Sequence, residues 1–134
     1  MATIFTRIAN GEIPSYKCAE NEDFYAFLDI APMAKGHTLV IPKHVEDDYL
    51  FHLDEGTYEG LMKFAREVAV AIGKAVPCKR VGVAVLGMEV PHTHIHLVRL
   101  QTEADMDFRK PKLEVAPEEM KRIADAIFAA YENR

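Results

Sequence analysis

The 134-residue chain has few cysteines, no excess of positive charge and no long apolar run. Cys18 and Cys78 stand far apart without a CxxC pair, which is typical of reduced thiols in a cytoplasmic protein. The net charge of −5 gives no broad positive field that would attract nucleic acid or an anionic membrane. No apolar run approaches the roughly 20 residues that cross a bilayer, and the first residues lack the pattern of a signal peptide. We therefore expect a soluble, cytoplasmic protein with no nucleic-acid or membrane partner.

Neither a repeat nor a linker interrupts the sequence, so residues 1–134 are predicted to form a single domain. Helical spacing of apolar residues predicts helices over 3–9 and 55–76, and a last helix that begins at Pro117. Strands are predicted over 16–20, 24–28, 38–41, 81–86 and 93–100. The nearly all-apolar segment 81–86 predicts a central strand that is buried on both faces. Short connections favour an α+β fold, in which an antiparallel sheet of about five strands is backed by the long central helix and the C-terminal helix.

Three histidines, His92, His94 and His96, alternate within the segment 90–100. Alternate side chains of a strand point to the same face, so the three imidazoles are predicted to lie side by side. Imidazole titrates near neutral pH and serves in nucleophilic attack, proton transfer and metal binding. The spacing alone leaves three hypotheses open: a polar sheet face, a zinc site, and covalent catalysis by the central imidazole. A fourth histidine, His37, precedes the strand at 38–41, while His44 and His52 are expected at the surface.

The segment His92-Thr93-His94-Ile95-His96-Leu97-Val98 resembles the histidine-triad signature, in which histidines alternate with apolar residues. Thr93 is a mild departure from it. Four more segments resemble the N-terminal half of the same family: 4–8 (IFTRI), 11–14 (GEIP), 27–32 (FLDIAP) and 36–43 (GHTLVIPK). On these motifs, over about residues 3–100, the chain is identified as a member of the histidine-triad nucleotide-binding family. The resemblance implies the fold of that family for the single domain.

The resemblance also implies a nucleotide hydrolase or nucleotidyl transferase that acts at the α-phosphate of a nucleoside phosphoramidate or a dinucleoside polyphosphate. His94 would form a nucleotidyl-imidazole intermediate, from which water releases a nucleoside monophosphate. His96 would contact a non-bridging phosphate oxygen, and His92 and His37 would orient the site through hydrogen bonds. No cofactor and no metal would be required. Family members commonly form two-fold homodimers with a continuous sheet, and the apolar stripe of helix 55–76 would suit part of such an interface.

Nucleotide-binding residues follow from the same resemblance. Asp29 would accept hydrogen bonds from the ribose hydroxyls. The base would be enclosed by an apolar set, although each member taken alone is better explained by core packing: Ile4, Phe5, Ile8, Phe27 and Ile30. The segment Gly87-Met88-Glu89 would lie beside the phosphate, where Gly87 allows backbone amides to approach an oxyanion.

The segment that precedes the triad departs from the family pattern. The phosphoramidase branch carries a longer glycine-rich segment with an asparagine and a Gly-Gln-Ser or Gly-Gln-Thr stretch, whereas residues 83–91 are shorter and place Glu89 where serine or threonine would stand. A carboxylate repels a phosphate unless it is protonated, paired or turned away. Glu89 therefore either selects a leaving group that carries an amine or is a solvated loop charge.

Two more family features are missing. The zinc-binding CxxC of some bacterial relatives does not occur near the N-terminus, and residues 101–112 do not resemble the substrate loop of the phosphoramidase branch. Two alternative functions therefore stand beside the enzyme hypothesis. One is a nucleotide-binding regulatory module with negligible turnover, and the other is a zinc protein that uses the histidine row.

Overall fold

The computed structural model describes residues 2–134; Met1, the first residue of the predicted domain, lies outside the described residues. Its helices and strands are, in chain order, α1 (Ile4–Ala9), β1 (Lys17–Glu20), β2 (Phe24–Leu28), β3 (Thr38–Pro42), α2 (Glu55–Ala75), β4 (Arg80–Ala84), β5 (Ile95–Leu100) and α3 (Pro117–Glu132). Short 3₁₀ turns at Leu50–His52 and Glu103–Met106 precede α2 and follow β5. Among residues 2–134, no helix has both the length and the apolar character that a membrane crossing requires.

The strands form one antiparallel sheet in the order β1-β2-β3-β5-β4. This arrangement confirms the predicted α+β class with five antiparallel strands. The β1–β2 hairpin is closed by Asn21, whose Oδ1 accepts hydrogen bonds from the amides of Asp23 and Phe24 at 3.0 and 2.8 Å. An asparagine side chain can replace a backbone acceptor in this way, which explains the tight turn.

Helices α2 and α3 cover one face of the sheet. Helix α2 begins at the N-cap Asp54, whose side chain accepts a hydrogen bond from the Thr57 amide at 3.1 Å. The predicted apolar stripe of α2 is buried on the sheet together with that of α3, and the largest of its side chains are Leu61, Phe64, Val68 and Ile72. Pro117 is the first residue of α3, as predicted from its preference for the first helical turn. The main core therefore lies between the sheet and these two helices.

The opposite face of the sheet carries a smaller apolar cluster. Tyr25, Phe27, Leu39 and Ile41 project from β2 and β3 to this face, and Phe5 of α1 packs onto them. His96 of β5 pairs with Leu39 of β3 in the register and continues this row. Because α2 and α3 occupy the other face, the histidines and α1 share a surface that no long helix covers within residues 2–134.

Strand β4 corrects one prediction. The apolar segment 81–86 does not form a central strand buried on both faces; β4 spans residues 80–84 and is the last strand of the sheet. Val83 is 56 % exposed and Leu86, beyond the strand, is 51 % exposed. Composition shows that a segment is apolar, but it does not show whether its own chain covers it. Within the described chain, apolar side chains at this edge of the sheet are therefore left exposed.

Candidate functional site

Asp29 and His37 are brought together by the register of β2 and β3. Leu28 pairs with Thr38, and the next residues outward close the ladder through a hydrogen bond from the Asp29 amide to the His37 carbonyl at 2.9 Å. Asp29 Oδ2 lies 3.7 Å from His37 Nε2, and Asp29 Oδ1 accepts a hydrogen bond from the Ala31 amide. Two residues that stand eight positions apart thus form one corner of the site.

The histidine row is not a strand face, which corrects the prediction for residues 93–100. Strand β5 begins at Ile95, so only His96 lies on it. Instead of pairing with β3, Thr93 donates both its amide and its hydroxyl to the Asp47 carbonyl, at 2.8 and 2.6 Å. The His92 amide bonds back to the Val90 carbonyl, which bends the chain there. The alternation of the sequence therefore does not place three parallel imidazoles side by side.

His92 is completely buried, and both nitrogens of its ring are engaged in hydrogen bonds. Its Nε2 donates to the Pro42 carbonyl at 2.9 Å, since a carbonyl can only accept. Burial lowers the pKa of His92, so the ring is neutral and its Nδ1 accepts from the Thr3 hydroxyl at 2.7 Å. Thr3 is the N-cap of α1 and also accepts a hydrogen bond from the Thr6 amide. Through its side chain, His92 thus fixes α1 rather than lining the site.

His94 is oriented by the backbone of His92. Its Nδ1 donates to the His92 carbonyl at 2.8 Å, so the other ring nitrogen, Nε2, is the one available to a ligand. The ring packs edge-on against Phe5, with centroids 5.1 Å apart, and against His96, with centroids 5.0 Å apart. The predicted orienting role of His92 is therefore exerted by its carbonyl, not by its imidazole.

The protonated nitrogens of His37 and His96 follow from their partners. The Met33 amide donates to His37 Nδ1 at 3.0 Å, so the hydrogen of the neutral His37 ring is on Nε2. That nitrogen lies 3.0 Å from His96 Nδ1 and donates to it. The hydrogen of His96 is then on Nε2. A chain of two hydrogen bonds that starts at the backbone thus makes His96 Nε2 a donor.

Both rings are held in the neutral state. Burial, together with the positive charge of Lys112, lowers the pKa of His37 to about 4. Burial also lowers the pKa of His96 to about 4, because the attraction of Asp29 only partly offsets the desolvation and the neighbouring histidines. Burial raises the pKa of Asp29. The relay is therefore neutral near pH 7.

Two cavities meet at His94 and His96. The first, of about 270 Å³, is mainly apolar; among its walls are all five predicted base-pocket residues, Ile4, Phe5, Ile8, Phe27 and Ile30. The second, of about 230 Å³, is more polar, and its walls include the predicted segment Gly87-Met88-Glu89 together with His37. Asp29 and Glu89 line both cavities, as do His94 and His96. The structure thus brings together every predicted site residue except the His92 side chain.

Sequence reasoning missed three residues of the second cavity: Leu86, Phe108 and Lys112. Phe108 and Lys112 lie in the segment that follows β5, and the Phe108 ring packs edge-on against His96 with centroids 5.0 Å apart. Lys112 Nζ donates to the Phe108 carbonyl at 2.9 Å. No local pattern identifies these residues, because only the fold returns residues 107–112 to the histidines. His44 and His52 are exposed, as predicted.

The structure also corrects the hypothesis of a zinc site on the row. Both ring nitrogens of His92 are engaged by Pro42 and Thr3, so the three histidines of the row do not converge on one ion. A different trio, Asp29, His37 and His96, offers ligand atoms that all lie within 4.8 Å of one another. An ion there would have to break the His37–His96 hydrogen bond.

Comparison with known proteins places this geometry in context. The profile of the HIT domain matches residues 10–103. Adenosine 5′-monophosphoramidase of Schizosaccharomyces pombe is 32 % identical over 129 residues, which cover 95 % of this chain and 96 % of that protein. A Hit-like protein of Bartonella henselae, crystallised with an unknown ligand, has 31 % identity and a TM-score of 0.81, with 96 % of this chain and 95 % of that chain covered. A zinc-bound histidine triad family protein of Mycobacterium smegmatis has 27 % identity and a TM-score of 0.80, with coverage of 99 % and 95 %.

Proposed function

Because the chain belongs to the HIT family, we propose that it hydrolyses or transfers a nucleotidyl group through a covalent intermediate on His94. The substrates would be nucleoside phosphoramidates or (di)nucleoside polyphosphates, cleaved at the α-phosphate. The observation that carries the proposal is the placement of His94. Its Nδ1 is committed to the His92 carbonyl, and its ring stands where the apolar and the polar cavity meet.

In the first step, His94 Nε2 forms a bond to the α-phosphorus, and the bond to the leaving group breaks with its electron pair. The imidazole then carries a positive charge, which the hydrogen bond from Nδ1 to the His92 carbonyl stabilises. In the second step, water forms a bond to phosphorus and gives up a proton to the solvent. The N–P bond breaks with its electron pair on Nε2, and neutral His94 is restored. The products are a nucleoside monophosphate and the leaving group. No cofactor takes part in either step of this proposal.

His96 would support the phosphate during both steps. Its Nε2–H, fixed by the relay from the Met33 amide through His37, would donate to a non-bridging oxygen. Because the relay is neutral, the donor is present without a charge that depends on pH near 7. Because this donor is already in place before negative charge develops on the phosphate oxygens, the site needs little reorganisation during the reaction.

The apolar cavity would hold the nucleoside. Phe5 and Phe27 form an edge-to-face pair with ring centroids 5.5 Å apart, which gives a purine or pyrimidine an aromatic wall. Asp29 is half-buried and lines both cavities, so its carboxylate would accept hydrogen bonds from ribose hydroxyls placed between base and phosphate.

The test compares wild type with His94→Ala on adenosine 5′-phosphoramidate and diadenosine triphosphate, with AMP release as the readout. We expect the variant to lose at least about 10³-fold in turnover. His52→Ala, which removes an exposed histidine, is the matched control and should retain full activity. Wild-type binding of AMP without turnover of either substrate would contradict the proposal and favour the regulatory module.

We further propose that the protein is a homodimer joined along β4. The outer edge of β4 has no strand partner within residues 2–134, yet it carries the exposed Val83. Arg99, opposite Val81 in the register, has an Nε atom that is buried without a hydrogen-bond partner in the described chain. Met62 of α2 is also exposed. A second copy that continued the sheet would cover these apolar groups and offer acceptors to Arg99.

Sedimentation at micromolar concentration tests the dimer. Wild type should sediment as a dimer, and Val83→Lys should shift it toward a monomer because edge lysines oppose strand pairing. Leu113→Lys, which adds the same charge near Pro32 instead, should leave the dimer intact. A monomeric wild type would contradict this proposal.

We propose a reducing, cytoplasmic compartment on the basis of the cysteines. Both are unpaired, and Cys18 is completely buried, which raises the pKa of its thiol to about 12. Such a thiol has a structural character rather than a redox one. Localisation of a fluorescent fusion in the source cells would test this expectation.

A further inference from the structure

The segment that follows β5 returns to the site as a strap, which we define as residues 107–113. The Leu113 amide donates to the Pro32 carbonyl at 2.9 Å and fixes the far end of the strap close to the Asp29 corner. Phe108 packs against His96, and Lys112 bonds to the Phe108 carbonyl while its Nζ lies 5.8 Å from the Phe108 ring. The strap therefore forms a wall of the polar cavity.

Lys112 is the single cation that lines either of the two cavities within residues 2–134. The other charged groups on the walls are the carboxylates of Asp29 and Glu89. An anionic ligand would be repelled by both carboxylates. Among the described residues on the two cavity walls, only Lys112 carries a full positive charge that opposes this repulsion. Its positive charge extends to the centre of the site, where it opposes the protonation of Asp29, His37 and His96 and so contributes to lowering the pKa of each.

Lys112 lines the polar cavity and not the apolar one. If the nucleoside fills the apolar cavity, the leaving group must extend from the α-phosphorus into the polar one. Lys112 is exposed, and its ammonium is a compact charge on a flexible stem, so it can follow a ligand at small desolvation cost. The cation therefore stands on the side of the leaving group rather than on the side of the base.

We infer that Lys112 determines specificity for substrates whose leaving group carries phosphate, which are nucleoside or dinucleoside polyphosphates. This inference rests on the proposed function. His94 Nε2 forms a bond to the α-phosphorus, and the bond from that phosphorus to the bridging oxygen breaks. The electron pair stays on the bridging oxygen of the departing phosphate, and Lys112 balances that charge. The nitrogen of a phosphoramidate takes up a proton from the solvent as the P–N bond breaks and leaves as neutral ammonia, which carries no such charge.

The experiment measures kcat/KM on two substrates that share the adenosine 5′-phosphoryl group: diadenosine triphosphate and adenosine 5′-phosphoramidate. Lys112→Met removes the charge and keeps an unbranched side chain of similar length beside Phe108. We expect the ratio of the two kcat/KM values to fall by about 10- to 100-fold in favour of the phosphoramidate, as for the loss of a charge-assisted hydrogen bond. Lys112→Arg should keep most of the wild-type ratio, and Lys110→Met, which removes a nearby cation that lines neither cavity, should leave it unchanged.

The outcomes separate the two proposals. The effect of Lys112→Met should shrink in high salt, because a partly exposed charge is screened. Equal losses on both substrates, or no loss on either, would overturn the inference about Lys112 and leave the proposed function intact. A wild type that turns over only the phosphoramidate would overturn it as well. Turnover of neither substrate by wild type would instead contradict the proposed function.

Discussion

The hydroxyl of Thr3 joins α1 to the histidine segment, and Thr3→Val tests this connection. Valine keeps the branched shape of threonine but removes the hydroxyl that donates to His92 Nδ1 and caps the Thr6 amide. Loss of an N-cap costs about 1 kcal/mol. A buried acceptor that loses its partner costs about 1–3 kcal/mol, and His92 is completely buried. We therefore expect the free energy of unfolding to fall by about 2–4 kcal/mol.

The measurement is guanidinium denaturation together with calorimetry. For a chain of this size, the expected loss corresponds to a decrease in Tm of about 6–12 °C. Thr3→Ser keeps the hydroxyl and should recover most of the stability. Because α1 carries Ile4, Phe5 and Ile8 of the apolar cavity, Thr3→Val should also weaken the binding of AMP. A Thr3→Val protein as stable as wild type, or a Thr3→Ser protein as unstable as Thr3→Val, would refute the reasoning.

Three further predictions concern the turn, the relay and the ribose contact. Gly87 has φ +73°, and a Cβ there would lie 2.6 Å from the Asp48 carbonyl oxygen. Gly87→Ala should therefore lower the free energy of unfolding by about 2 kcal/mol or more. The control Gly73→Ala lies on α2, where an added Cβ meets open space, and should raise the free energy of unfolding slightly. Burial lowers the pKa of His37 and His96 to about 4, below the ordinary value of 6.5, so the unfolded chain binds more protons than the folded chain between pH 4 and 6.5. The free energy of unfolding should therefore fall as the pH decreases from about 6.5 toward 4. This decrease should be smaller in His37→Asn. Titration of Tm with pH checks this sign, and a flat profile would contradict it. Asp29→Asn keeps an acceptor for the Ala31 amide but loses the negative charge. Calorimetry should therefore show that AMP binding is weakened about 10-fold, and that the binding of 2′-deoxy-AMP is weakened less. Equal effects on both nucleotides would contradict the ribose contact.

The helices and the first hairpin could be predicted because they depend on local patterns. The stripe of α2, the proline at the start of α3 and the turn at Asn21 each have a signal within a few residues. The family motifs also indicated Asp29 and His37 as site residues, and the register of β2 and β3 brings these two together.

The errors arose where distant parts of the chain decide the outcome. Alternating histidines suggested a strand, but Thr93 bonds to the Asp47 carbonyl and so removes His92 from the site. The apolar segment 81–86 indicates a central strand, but β4 lies at the edge of the sheet, because composition does not show which position in the sheet an apolar strand takes. The sequence around Lys112 contains no local signal for a site residue, since only the strap brings Lys112 to the cavity beside the histidines.

The most direct test of the central claim is to capture the nucleotidyl group on the protein during turnover. Diadenosine triphosphate labelled at the α-phosphorus is mixed with enzyme and quenched rapidly in alkaline denaturant, which preserves N–P bonds. We predict label on the peptide that contains His94 in wild type, formed and lost at rates that match AMP release, and none in His94→Ala. Rapid turnover of this substrate with no label on the protein, or label that persists in His94→Ala, would contradict nucleophilic attack by this imidazole.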